Sequence, residues 1–145
     1  MKIMFICTGN TCRSPMAEAI FNNLSLKNGK DHFAFSRGTA VLFPQKTNPK
    51  AIKSLECLGI FDFEHNSVLV SADDIATSDL VLTMTAEHKT TLISAFGFKS
   101  KIYTLAEKSH GIHKDISDPY GLSQEKYNEC AKEIYDALEG LLCTL

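Results

Sequence analysis

The sequence predicts an α/β fold, a single-domain three-layer sandwich over residues 1–145 with a mostly parallel sheet covered by helices on both faces. Three observations lead there. Strand-like and helix-like patterns alternate along the whole chain. A compact apolar run near the start passes through a glycine-containing loop straight into a helix start. The 145 residues carry no repeat, low-complexity tract or obvious linker, and are enough for one domain with a real core.

The elements follow in order. Lys2-Ile3-Met4-Phe5-Ile6 is an unbroken apolar run, the pattern of a buried parallel strand. Ser14-Pro15-Met16-Ala17-Glu18-Ala19-Ile20-Phe21 starts a helix. Pro15 suits a first turn, where its missing N–H has no partner, and Glu18 is expected to complement the positive helix end. His32–Ser36 reads as a second strand, and Pro49–Leu58 as a short helix closed by Gly59. Leu80–Met84 is the third strand and Lys101–Thr104 the fourth. Gln124–Leu142 places Tyr127, Ala131, Ile134, Leu138 and Leu141 on one helical stripe, with Ser123 as its cap.

The chemistry sits in the first loop, Cys7-Thr8-Gly9-Asn10-Thr11-Cys12-Arg13-Ser14. A loop between a strand's carboxyl end and a helix's amino end presents free N–H groups and a positive dipole, which together make an anion site. Gly9 and Asn10 tolerate positive φ, so the loop can curl its amides inward. Cys7 lies in the same field, which favours the thiolate, the nucleophilic form. Arg13 offers a planar fork of donors for two equatorial oxygens of a phosphoryl group, and Ser14 can donate to the Cys7 sulfur. The amides of Thr8, Gly9, Asn10, Thr11, Cys12, Arg13 and Ser14 complete the phosphate-binding set. The bland alternative is two core cysteines beside a surface arginine, but six residue types falling where one mechanism needs them weigh against it. Phosphoryl transfer also needs an acid for the leaving atom. Asp118-Pro119-Tyr120-Gly121 presents a carboxylate beside an aromatic ring on a rigid turn. Alone it reads as an ordinary turn leading into the last helix; paired with the Cys7 loop it reads as the acid.

These residues resemble a known family. Phe5 to Glu18 is similar to the signature of the low-molecular-weight protein tyrosine phosphatases, and Asp118-Pro119-Tyr120-Gly121 to that family's acid loop. Ser36-Arg37-Gly38-Thr39 resembles its Ser-Ala-Gly-Thr turn, with Arg37 replacing alanine, and Ser78–Thr85 followed by Glu87-His88-Lys89 fits its third-strand region. The resemblance implies a four-stranded sheet of order 2-1-3-4 with the Cys7 loop at the strands' carboxyl ends. It further implies that Cys7 forms a phosphocysteine, that Arg13 binds phosphate, and that Asp118 acts as acid and then as base toward water. Asn10, Ser36 and His65 align with a hydrogen-bond network that supports the loop; from residues alone, His65 reads equally well as a surface histidine.

For the substrate, the resemblance implies phosphotyrosine in a slot with Tyr120 as one wall. Leu42 or Phe43, from Ala40-Val41-Leu42-Phe43-Pro44, would supply another, although core packing is the alternative for both and the preferred one for Leu42. Gly121 replaces an aromatic found in eukaryotic members, as in bacterial ones. Thr11 stands where tyrosine-specific members carry an aliphatic side chain; a bacterial branch with threonine there removes phosphate from protein arginine, which makes phosphoarginine the second hypothesis. Arsenate reduction is a third, but its relay needs two further cysteines near the third strand, and none lies between Cys57 and Cys130. A phosphate-binding module without catalysis would not need both Cys7 and Asp118.

Composition limits the rest. A net charge of −2 predicts no strong attraction to nucleic acid, and no segment is long and apolar enough to span a bilayer. Nothing at the amino terminus resembles a secretory signal, and five cysteines with a free thiol required at one of them lead us to expect a reducing cytoplasm. No cofactor or metal is expected: Arg13 and the amides supply the positive charge, and His110-x-x-His113 lacks a third ligand. The expected partner is a phosphorylated protein, such as a tyrosine kinase or another phosphoprotein, met by a monomer or weak dimer. Cys12 is a candidate redox partner of Cys7, with packing against the loop as the alternative.

Overall fold

A computed structural model describes all 145 residues. Four parallel strands run in the order β2-β1-β3-β4: β1 (Lys2–Cys7), β2 (Phe33–Gly38), β3 (Leu80–Thr83) and β4 (Ile102–Thr104). Six α-helices cover it: α1 (Arg13–Lys27), α2 (Pro49–Cys57), α3 (Ala72–Thr77), α4 (Ala86–Phe96), α5 (Leu105–His110) and α6 (Gln124–Leu142). No helix is long and apolar enough to cross a membrane.

The two-residue period of β1 divides the core. Ile3, Phe5 and Cys7 face a larger apolar cluster with Met16, Ile20, Phe21, Tyr127, Ile134 and Leu138 from α1 and α6. Met4 and Ile6 face a smaller one with Ile75, Val81 and Leu92. All four named β1 residues from Ile3 to Ile6 are fully buried, so the strand that carries the first loop is held from both sides.

The boundaries differ from the sequence reading at several ends. β2 runs from Phe33 to Gly38 rather than from His32 to Ser36, because pairing with β1 continues through Ile6↔Arg37 and Cys7↔Gly38. β3 stops at Thr83, β4 begins only after a 3₁₀ turn over Lys99–Lys101, and α2 ends at Cys57 with Leu58 as its cap. Glu18 does not serve the α1 dipole; it accepts a hydrogen bond from the Ser36 hydroxyl at 2.8 Å. Leu42 is not core but 97 % exposed.

Candidate active site

β1 ends on Cys7, and α1 begins on Arg13, so the connecting residues must reverse within a few peptide units. Asn10 takes the left-handed conformation, φ 56°, which lets the loop curl. Its side chain is wholly buried and fully used. The Asn10 amide donates to Ser14 Oγ at 2.8 Å and Ser36 Oγ at 3.0 Å, while Oδ1 accepts from His65 Nε2 at 2.8 Å and the Val68 amide at 3.0 Å. His65 is therefore no surface residue, and its Nε2 carries the proton. Because Ser14 Oγ already accepts from Asn10, its own proton is free for the Cys7 sulfur, 2.8 Å away. The alternative acceptor, the Arg37 carbonyl, lies at 3.5 Å.

Burial shapes the titrating groups behind the loop. It lowers the acidity of Glu18, raising its pKa even against the Ser36 hydrogen bonds, and it lowers the pKa of His65, helped by Arg37. The two face each other at 3.8 Å, and both shifts favour their neutral forms. Burial also raises Cys12, partly offset by its hydrogen bond with the Tyr127 hydroxyl at 3.2 Å, and pushes Cys130 up to about 12.

Arg13 is 5 % exposed, and its guanidinium reaches the other end of the chain. One terminal nitrogen donates to the Ile116 carbonyl at 2.9 Å; the other lies 3.7 Å from Asp118 Oδ2. The Asp118 carboxylate is half-exposed and also accepts from the Tyr120 amide at 3.1 Å, which fixes the turn. Lys50, in the first turn of α2, donates to the Leu122 carbonyl at 2.7 Å, and the Asn48 amide donates to the Thr11 carbonyl at 2.9 Å. The start of α2 thus braces the Asp118 turn and the Cys7 loop together.

These groups converge on one open cavity of about 260 Å³ lined by the loop from Cys7 to Arg13 with Gln45, Asp118 and Tyr120. Thr8, Gly9, Asn10, Thr11 and Cys12 all lie on its wall, whereas Ser14, Ser36 and His65 stand behind it. Phe43 and Leu42 are exposed but do not line it; Gln45 occupies that side. Sequence reasoning missed Gln45, Lys50 and His88. His88 is buried and bonded to Thr8 Oγ1 at 2.8 Å, and the signal for it was Thr85 three residues earlier, a helix cap that fixes where His88 must point. No group of three or more His, Cys, Asp or Glu side chains is placed to hold a metal; His113 is largely in solvent and His110 bonds Ser109.

Comparison with known proteins bears on this arrangement. The family model described as low molecular weight phosphotyrosine protein phosphatase matches residues 2–145. The chain belongs to this family. It is 37 % identical over 142 residues to a protein-arginine-phosphatase of Bacillus subtilis strain 168, covering 97 % of this chain and 94 % of that one. It is 38 % identical over 141 residues to the low molecular weight protein-tyrosine-phosphatase PtpB of Staphylococcus epidermidis, covering 96 % and 95 %. Among solved structures, YwlE arginine phosphatase, as a cysteine-to-serine mutant with a phosphorylated active-site serine, superposes with a TM-score of 0.96 at 37 % identity over 100 % of this chain and 95 % of that one. The family fold, with its 2-1-3-4 parallel sheet, is therefore the fold of this chain.

Proposed function

We propose that this chain is a cysteine-dependent protein phosphatase working through a phosphocysteine at Cys7. The observation that carries the reading is convergence: the Cys7 sulfur, the buried Arg13 fork and the Asp118 carboxylate meet at one cavity, with Ser14 Oγ 2.8 Å from the sulfur. In the first step the Cys7 thiolate attacks phosphorus. An S–P bond forms, the bond from phosphorus to the leaving oxygen or nitrogen breaks, and protonated Asp118 gives that atom its proton. In the second step Asp118 takes a proton from water, the water oxygen bonds phosphorus, and the S–P bond breaks to return thiolate and inorganic phosphate. Arg13 and the loop amides hold the equatorial oxygens throughout, and the Ser14 hydroxyl stabilises the sulfur each time it carries charge.

Phosphotyrosine is the substrate that family membership suggests, and Tyr120 provides one aromatic wall for it. Phosphoarginine is favoured by a specific observation: the walls carry polar side chains besides the Tyr120 ring. Thr11 and Gln45 stand on them, and neither Leu42 nor Phe43 closes the slot around a ring. Hydroxyl, amide and carboxylate groups suit a guanidinium, and a site built from them rejects partners that leave them unpaired. The test is kcat/KM measured side by side on matched phosphoarginine and phosphotyrosine peptides. The expected result is the larger value for phosphoarginine, with trapped phosphate on Cys7 and no turnover in Cys7→Ser. A larger value for phosphotyrosine reverses the substrate order; turnover without Cys7 overturns the mechanism. The substrate is a phosphorylated protein met by a monomer or weak dimer, and the need for a reduced Cys7 fits the cytoplasm; all five cysteines are free.

A further inference from the structure

Thr8 follows the nucleophile directly, and its side chain is tied to a histidine that the mechanism does not use. His88 lies in the first turn of α4, 7 % exposed. Its Nε2 is 2.8 Å from Thr8 Oγ1, and its Nδ1 is 3.0 Å from Thr85 Oγ1. Thr85 caps α4 by accepting from the His88 amide at 3.2 Å. Burial, with the Arg13 charge nearby, pushes His88 down to about 4, so the ring is neutral near pH 7 and has one N–H.

Hydrogen-bond satisfaction assigns that proton. If it sat on Nδ1, the Thr85 oxygen would accept twice and its hydroxyl proton would be left over at a half-buried position. With the proton on Nε2, Thr85 donates to Nδ1, and Nε2–H donates to Thr8 Oγ1. The spare proton then belongs to Thr8, which is exposed and lines the cavity beside Cys7. The Thr8 carbonyl is held as well, accepting from the Ala40 amide at 3.0 Å, so the residue is fixed from two sides.

Resting on the reading of that cavity as a phosphoryl site, we propose that the Thr8 hydroxyl donates to a phosphoryl oxygen of the substrate and that buried His88 is the positioning residue that turns it there. The floor of the cavity already has Arg13 and the amides; Thr8 adds a donor at the rim, on the side nearest α4. Thr85 is the far end of the same chain of hydrogen bonds, so α4 meets the catalytic loop through this contact.

The experiment reads binding of inorganic phosphate to the whole chain by calorimetry, alongside kcat/KM on p-nitrophenyl phosphate. Thr8→Val is expected to weaken phosphate about tenfold, the size of a hydrogen bond to a charged group, while Thr8→Ser keeps most of the affinity. His88→Leu should match Thr8→Val, and His88→Gln, which keeps a donor at the Nε2 position, should recover most of the loss. The double variant Thr8→Val/His88→Leu should be no worse than Thr8→Val alone, because both remove one contact. Unchanged phosphate affinity in Thr8→Val, no recovery by His88→Gln in a folded protein, or additive losses in the double variant each overturn the assignment. Where His88→Leu does not fold, the exposed Thr8 pair decides alone. Calorimetry needs no turnover: a protein that binds phosphate through Thr8 and hydrolyses nothing sinks the phosphatase reading and leaves this one standing.

Discussion

Gly38→Ala tests how tightly the sheet is fitted to the Cys7 loop. A Cβ built at Gly38 would stand 2.6 Å from the Thr8 carbonyl oxygen, 2.6 Å from a Val41 methyl and 3.0 Å from Asn10 Cβ. Gly38 cannot retreat. It pairs with Cys7 at the end of β2, its amide donates to the Val68 carbonyl at 2.9 Å, and its carbonyl accepts from the Val70 amide at 2.9 Å. The Val41 methyl can rotate away, but the Thr8 carbonyl is backbone and is held by the Ala40 amide, so the loop itself must shift. One added methyl in a packed site costs roughly 1–3 kcal/mol, and misplacing reacting groups by about 1 Å can cost about 100-fold in rate. The expected outcome is a lower urea midpoint together with a fall of about 10- to 100-fold in kcat/KM on p-nitrophenyl phosphate. An alanine variant with unchanged midpoint and unchanged kcat/KM would refute the reasoning, since the loop would then have room that the geometry denies.

Asp118→Ala should depress turnover most for substrates with poor leaving groups, which need its proton most; equal losses across a leaving-group series would remove Asp118 from the acid role. The titration of His88 gives a sign for acid stability. Its pKa falls on folding from the ordinary 6.5 to about 4, so the unfolded chain binds the proton first. Stability from this residue is complete above pH 6.5 and is lost as pH falls toward about 4, amounting to about 3 kcal/mol at ~1.4 kcal/mol per pH unit. Glu18, raised by burial, acts in the opposite direction just above its usual range, so the measurement is Tm against pH for wild type and His88→Gln; parallel curves would show that His88 adds no slope. For the redox role of Cys12, peroxide inactivation should be reversed by thiol in the wild type and less so in Cys12→Ser; equal recovery would leave Cys12 with packing against Tyr127 alone.

Much of the site was legible because it is local. Cys7, Asn10, Arg13 and Ser14 belong to one strand–loop–helix unit, and covalent spacing alone brings them together. α6 was readable to its ends, Gln124 and Leu142, since a long amphipathic stripe with a serine cap leaves little freedom. The 2-1-3-4 order came from resemblance, not from periodicity. Short elements escaped: α3 and α5 are six residues each, too brief for a periodic signal, although their capping boxes at Ser71/Asp74 and Thr104/Glu107 were visible in the sequence. What spacing could not give was long-range contact. Nothing local says that Lys50 holds Leu122, that Gln45 rather than Phe43 faces the cavity, or that Glu18 turns to Ser36. Leu42 shows the limit most directly, because hydrophobicity argued for the interior and the loop holds it in solvent.

The double reach of Arg13, to the Ile116 carbonyl and toward Asp118, has a kinetic consequence. A side chain that grips the segment bearing the proposed proton donor before any ligand arrives leaves little travel for that segment on binding. In the proposed reaction the Asp118 turn is then expected to act where it already stands, with no flap swinging shut and with water reaching the second half-reaction through the same open mouth.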